Sequence, residues 1–187
     1  EVATVPTVGG TKQAQLEKIQ ELRPDLIICE KEENTKEMVE QLAAHFPVYV
    51  AQVESVDDAH RMIRDIGAVV NRLHEANMLE AQIAQAFRAL PKYTGRIAYM
   101  MWRKPYMVVG APTYIDSVLT TLGFTNPFTH SEGRYPTVTI EDLQQAQLDY
   151  LLLSSEPFPF SAKHVQELAI HLPNTQIVLV DGEMFWY

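Results

Sequence analysis

Two short stretches place cations beside aromatic rings: Trp102-Arg103-Lys104-Pro105 and Gly133-Arg134-Tyr135-Pro136. A guanidinium binds carboxylate or phosphate oxygens through paired N–H groups, and an aromatic face next to a cation suits a large flat or aromatic ligand. Both stretches stand out in a chain of 187 residues with a net charge of −9. The plainer role for each cation is a solvated surface charge. Further aromatics fall at Tyr106, Phe158, Phe160, Phe185, Trp186 and Tyr187, so both tryptophans of the chain belong to this set. The competing role for Phe158, Phe160 and Phe185 is closure of a core.

Other chemistries are poorly served. The single cysteine, Cys29, lies in an apolar run; it rules out an internal disulfide framework and a Cys-rich zinc site, and it reads as a buried, inert thiol. The histidines are His45, His60, His74, His130, His164 and His171, with no His-x-His or His-x-x-x-His pairing. Only His130 and His164 fall near the expected site, too few for a closed metal centre. Gly9-Gly10 lacks the remainder of a nucleotide-binding loop, and no Gly-x-Ser-x-Gly elbow occurs. Enzyme chemistry is therefore not expected. The acidic balance argues against nucleic acid as a partner, and no apolar run approaches the ~18 residues of a membrane span. A hydrophobic content of 47% with 21% charged residues is that of an ordinary globular chain.

The elements that must position these side chains are written twice. Leu16, Ile19 and Leu22 share one helical face, a break with Pro24 follows, and Asp25 opens the apolar run to Cys29. Ile140, Leu143 and Ala146 repeat that face, and Asp149 opens the run to Leu153, with Glu17/Glu141, Gln20/Gln144 and Asp25/Asp149 identical at one constant offset. Continuous apolar runs of this length suit parallel strands covered on both faces. After each run come a loop, a helix (around Thr35–Ala44 and Ala162–Leu172), a proline, and a second apolar strand (Val48–Val53 and Gln176–Val180). Strand, helix, parallel strand is a βαβ unit. Between the copies, Met62, Ile66, Val69, Leu73, Ala76, Ile83, Phe87 and Leu90 recur in steps that mark one helix face, without a proline from Ser55 to Leu90. Ser55 and Asp58 form a capping box at its start. Unbroken, this helix would run roughly 50 Å; Gly67 is the place for a kink.

The expected fold class is thus α/β: two Rossmann-like lobes with parallel sheets joined by one long backbone helix. The divisions are 1–54 for the N-terminal lobe, 55–91 for the bridging helix and 92–187 for the C-terminal lobe. Ligands of open parallel sheets bind beyond the carboxyl ends of the strands. Here those ends are Glu30–Asn34, Trp102–Tyr106, Ser154–Phe160 and Asp181–Tyr187. Together with Arg134 and Tyr135 they are expected to line a cleft between the lobes. The candidate ligand contacts are Glu30, Lys31, Trp102, Arg103, Tyr106, Arg134, Tyr135, Phe158, Phe160, Trp186 and Tyr187.

Several segments carry a resemblance that runs over almost the whole chain. They are Val8-Gly-Gly-Thr11, Leu16-Glu-Lys-Ile19, Arg23-Pro-Asp-Leu26, Lys31-Glu-Glu-Asn34, Arg134-Tyr-Pro-Thr-Val138, Ser154-Ser-Glu-Pro157 and Asp181-Gly-Glu-Met-Phe185. In order and spacing they resemble the helical-backbone (class III) periplasmic binding proteins of ABC importers, near the vitamin B12 and ferric siderophore receptors. The resemblance implies a receptor, periplasmic or lipid-anchored at the cell surface, that takes a metal chelate (ferric siderophore, haem or corrinoid). It implies delivery to a membrane permease, no cofactor of the receptor's own, a monomer, and membrane contact only through the transporter or a lipid anchor. Docking would use one acidic residue on each lobe, Glu33 or Glu37 on the first and Glu156 on the second. The arginines tilt the ligand toward an anionic ferric chelate. Relatives of this kind begin with a further strand and helix and continue into a C-terminal helix, so the first lobe is expected to be partial. The alternatives are a receptor for a bare transition-metal ion, a two-lobed α/β enzyme without a transport role, and a protein-interaction module.

Overall fold

The computed structural model describes residues 4–185. The expected ligand contacts Trp186 and Tyr187 lie outside the described residues. The chain divides after Gln52 into two compact units.

The first unit opens with two very short antiparallel strands, β1 (Gly9–Gly10) and β2 (Gln13–Ala14). Helix α1 (Leu16–Leu22) follows and stops where Arg23 turns left-handed, at φ 47°, immediately before Pro24. A left-handed residue followed by proline is a natural helix end. Strand β3 (Ile27–Glu30), helix α2 (Lys36–Ala43) and strand β4 (Val48–Ala51) complete the unit. Thr35 caps α2 by accepting from the Met38 amide. β3 and β4 pair in parallel, Ile27 opposite Val48 and Glu30 opposite Ala51, as a βαβ unit requires. Their core is Ile19, Cys29 and Leu42, with Met38, Phe46 and Val48 against them. Cys29 is buried, and burial pushes its thiol pKa up, which keeps it protonated and inert.

The second unit begins with helices α3 (Val56–Val69) and α4 (Leu73–Ala89). The expected single helix over 55–91 is therefore two helices. Asn71 adopts φ 56° and the Arg72 amide donates to the Gly67 carbonyl, so the chain reverses in three residues that contain neither proline nor glycine. Asparagine tolerates the left-handed region, which is why hydropathy alone reads straight through the turn. The two helices pack antiparallel: Arg64 pairs with Glu80, and a Cβ on Gly67 would stand 2.3 Å from that of Ala76. Gly67 serves close helix approach, not a kink. The expected Ser55–Asp58 cap is present, with Ser55 Oγ accepting from the Asp58 amide at 3.0 Å.

The remaining elements are β5 (Ile97–Trp102), β6 (Tyr106–Val108), α5 (Tyr114–Thr121), β7 (Thr137–Val138), α6 (Ile140–Gln145), β8 (Tyr150–Ser154), α7 (Ala162–His171), β9 (Gln176–Val180) and a 3-10 turn at Gly182–Phe185. They form one five-stranded sheet in the order β7-β6-β5-β8-β9. β5, β8 and β9 are parallel, while β6 and β7 are antiparallel additions. The expected parallel sheet is formed by β5, β8 and β9, and two short antiparallel strands extend its edge. The Arg103–Pro105 turn is too short for a crossover, so β6 must return antiparallel to β5. Alternate residues of β5 serve two cores: Ala98 and Met100 with Leu143, Leu151, Leu153 and Leu168 on one face, Ile97 and Tyr99 with Val109 and Leu119 on the other. Both faces are covered, and β5 and the Tyr150–Leu153 run of β8 carry no charged or strongly polar side chain for that reason.

Candidate functional site

Because β5, β8 and β9 run parallel, their carboxyl ends share one edge of the sheet. The β5 end carries Trp102, a residue 39% exposed, whose ring meets Phe158 edge to face with centroids 5.9 Å apart. Phe158 in turn meets Phe160 at 4.7 Å, and the His164 ring lies 5.4 and 5.5 Å from the two phenylalanines. Phe160 and His164 are buried, Phe158 is half-buried and Trp102 is outermost. The result is a graded aromatic stack with its base in the core and one indole at the surface. Phe160 belongs to the core. His164 Nδ1 accepts from the Ser161 amide at 3.0 Å, which leaves Nε2 as the protonated nitrogen. Burial, reinforced by the charges of Lys163 and Arg103, holds its pKa below the ordinary histidine value, and the ring stays neutral.

The turn after Trp102 is pinned to α7. Arg103 Nη2 donates to both carboxylate oxygens of Glu167, at 2.7 and 2.8 Å, and the Tyr106 hydroxyl donates to the same carboxylate at 3.1 Å. The Arg103 hydrogen bonds hold the Glu167 pKa below the ordinary carboxylate range and raise that of Arg103. Burial first, and then the bond to Glu167, raises that of Tyr106. Arg103 and Tyr106, both expected to face a ligand, are thus tied to a residue 64 and 61 positions away respectively.

The loops after β8 and β9 interlock. Tyr99 donates to the buried Ser154 Oγ at 2.8 Å, Ser154 Oγ donates to the Glu156 carbonyl, and the Gly182 amide donates to Ser155 Oγ at 2.9 Å. A Cβ at Gly182 would lie 2.7 Å from Ser154 Oγ, so only glycine permits this approach. Phe185 packs edge-on to Tyr99 at 4.9 Å. Glu156 is exposed on this rim.

Arg134 and Tyr135 belong to a different cluster. Arg134 Nε donates to the Pro112 carbonyl at 2.7 Å, its carbonyl accepts from Gly110, and its Nη1 stands 3.9 Å from the Glu54 carboxylate. Its guanidinium carbon lies 5.9 Å from the Tyr135 ring centre, and Tyr135 packs on the Tyr99 core. This cluster sits beside the start of α5, not at a strand end.

In the first unit, Glu30 closes its own loop: its carboxylate accepts from the amides of Glu32 and Glu33 at 2.5 and 2.9 Å. Thr11 Oγ1 donates to Glu33 at 3.2 Å, and Asn34 Nδ2 donates to the Thr11 carbonyl at 2.8 Å. The segments around Thr11 and Glu30–Asn34 therefore meet. Lys31 is exposed, as is Glu37 in the first turn of α2. Among the described residues, no group of three or more His, Cys, Asp or Glu side chains is placed to hold a metal ion, and no helix is long and apolar enough to cross a membrane.

Nothing in the sequence around Glu167 and Glu54 marks them as the carboxylates that compensate the two candidate arginines. No spacing rule connects Arg103 to a carboxylate 64 residues later, on a helix that follows three further strands.

The sheet, its strand-end loops and the helices define an α/β ligand-binding fold, and the sequence profile of the periplasmic binding protein family matches residues 1–170. The chain belongs to that family. A vitamin B12-binding protein of Pectobacterium carotovorum subsp. carotovorum is 22% identical over 166 residues, which are 84% of this chain and 60% of the relative. The chain thus spans 60% of the length of that curated relative. An ABC transporter substrate-binding protein from Listeria monocytogenes superposes with a TM-score of 0.81 at 19% identity, covering 98% of this chain and 78% of the other. The periplasmic heme binding protein HutB of Vibrio cholerae superposes at 0.79 with 21% identity, covering 98% and 78%. At these identities the structural likeness establishes the fold, which is that of the class III periplasmic binding proteins.

Proposed function

We propose that this chain is the substrate-binding part of an ABC importer receptor that captures a metal chelate (a ferric siderophore, haem or corrinoid) and hands it to a membrane permease. The observation that carries the reading is the aromatic stack ending in exposed Trp102, at the strand edge where open α/β sheets bind ligands. An indole held edge-on by Phe158, on a turn fastened through Arg103 and Tyr106 to Glu167, offers a preorganised face to a large flat ligand. Membership of the binding-protein family supports the receptor role and a location outside the cytoplasmic membrane, free in the periplasm or lipid-anchored. The protein works as a monomer and needs no cofactor; the chelate is cargo.

Exposed Glu37 and Glu156, with Glu33 as the alternative on the first unit, are the proposed contacts for basic residues of the permease. Such charges act mainly on association rate and are screened by salt. Reversing Glu37 and Glu156 together is expected to leave chelate affinity intact while reducing transport; normal transport would move docking to other residues.

The direct test of the receptor reading is tryptophan fluorescence during titration with cyanocobalamin, haem, ferric citrate and a ferric tris-catecholate. Saturable quenching by at least one chelate, without turnover, is the expected outcome. No response to any of them would defeat the reading.

A further inference from the structure

Resting on that receptor reading, we infer that the chelate taken by this protein is neutral or cationic, and that anionic chelates are discriminated against. The two arginines at the candidate contacts offer no uncompensated charge. Arg103 gives both bonds of its Nη2 to the Glu167 carboxylate at 2.7 and 2.8 Å. Arg134 donates to the Pro112 carbonyl and stands 3.9 Å from the Glu54 carboxylate. An anionic group brought near either guanidinium meets a carboxylate at nearly the same distance, so attraction and repulsion cancel to first order. To recruit Arg103 outright it would have to displace a charge-assisted bond that is already formed.

The other charges on the same edges point the same way. In the second unit the exposed cations there are Lys104 and Lys163, while Glu156, Asp181 and Glu183 supply carboxylates on the adjoining loops. Exposed ammonium groups are strongly hydrated point charges, weakened by salt. The strand-end loop of the first unit, taken by itself, carries Glu30, Glu32 and Glu33 against Lys31. What remains attractive is the apolar and aromatic surface of Trp102 and Phe158, which binds by contact area and whose negative ring faces favour neutral or cationic groups over anionic ones.

The test measures dissociation constants of the full chain for cyanocobalamin and a neutral ferric trihydroxamate against haem, ferric citrate and a triply anionic ferric tris-catecholate. The expected result is that a neutral chelate binds at least about tenfold more tightly than any anionic one, with less than about a twofold change between roughly 0.05 and 0.5 M salt. An anionic chelate binding most tightly overturns the inference and leaves the receptor reading standing. Binding of none of them overturns the receptor reading itself. A second variant isolates the cause: Glu167→Gln is close in size but removes the negative charge and leaves one acceptor oxygen where Arg103 now meets two, which unmasks Arg103. It is expected to raise the ratio of anionic to neutral affinity by about fivefold, the effect of one charge at ~4 Å in water. An unchanged ratio in the folded variant overturns the assignment to Glu167; should that variant not fold, the wild-type series decides alone.

Discussion

The strands β3 and β8 occupy equivalent places in the two copies of the helix–strand repeat, yet they live in different surroundings. β8 has β5 on one side and β9 on the other, and Leu151 and Leu153 are 0% exposed. Among the described residues β3 pairs only with β4, and Ile28 and Val50 of that pair remain 47% and 42% exposed. The edge strand β9 behaves like the first unit, with Leu179 at 44%. Apolar residues of one sequence pattern therefore end up buried or open according to the number of neighbouring strands. Hydrophobicity makes the strand; the sheet around it decides what each side chain contributes.

Truncating one side chain on each strand measures the difference between these surroundings. Leu153→Ala is expected to destabilise the second unit by about 2–5 kcal/mol, the range for a large side chain removed from a close-packed core. Ile28→Ala should cost less than about 1 kcal/mol, because half of that side chain is already in water. Urea unfolding with hydrogen exchange read separately in each unit measures both; equal costs would remove the distinction.

Within the second unit, the aromatic stack sets a core residue, Phe160, against a surface one, Trp102. Trp102→Ala should weaken chelate binding by about 1–3 kcal/mol if the ring is desolvated by the ligand. Calorimetric titration beside thermal unfolding separates the roles: unchanged affinity with lowered stability would assign Trp102 to packing.

The paired helices that precede β3 and β8 differ in their caps. α6 begins with a capping box, the Thr139 hydroxyl accepting from the Asp142 amide at 3.1 Å and the Asp142 carboxylate accepting from the Thr139 amide at 2.8 Å. α1 begins at Gln15 with no side-chain cap. Thr139→Ala should cost about 1 kcal/mol, and Gln15→Ser should return a similar or smaller gain. Thermal melts of both variants would show opposite shifts; a loss at both positions would mean that the α1 start depends on contacts other than its cap.

The smallest effect is on acid stability. Asp58, Asp142 and Glu167 of the second unit are held below the ordinary carboxylate range, chiefly by the hydrogen bond from Ser55, by those from Thr139 and by those from Arg103 respectively. A depressed folded-state pKa stabilises the fold above the unfolded value of about 4 and loses that stabilisation as pH falls through the folded value. The second unit should therefore weaken progressively below about pH 4. Replacing all three carboxylates by amides should flatten that slope, and melting temperatures across the acid range would show it.

Much of this protein was determined locally. The doubled helix–strand pattern, the Thr35 and Ser55 caps, the parallel pairs β3–β4 and β8–β9 and the burial of Cys29 follow from periodicity and capping, which act over a few residues. The short return of β6 was not legible because the Arg103–Pro105 turn reads equally well as an ordinary strand-end loop, and the reversal at Val70–Arg72 was not, because a three-residue turn without proline or glycine leaves the hydrophobic rhythm almost unbroken. The charge state of the candidate site was decided by tertiary structure alone. Arg103 and Arg134 read from sequence as open cations for an anionic ligand, while the fold brings Glu167 and Glu54 to them from distant parts of the chain. Coulomb interactions depend on distance in space and not along the chain, so no local signal could have announced those partners.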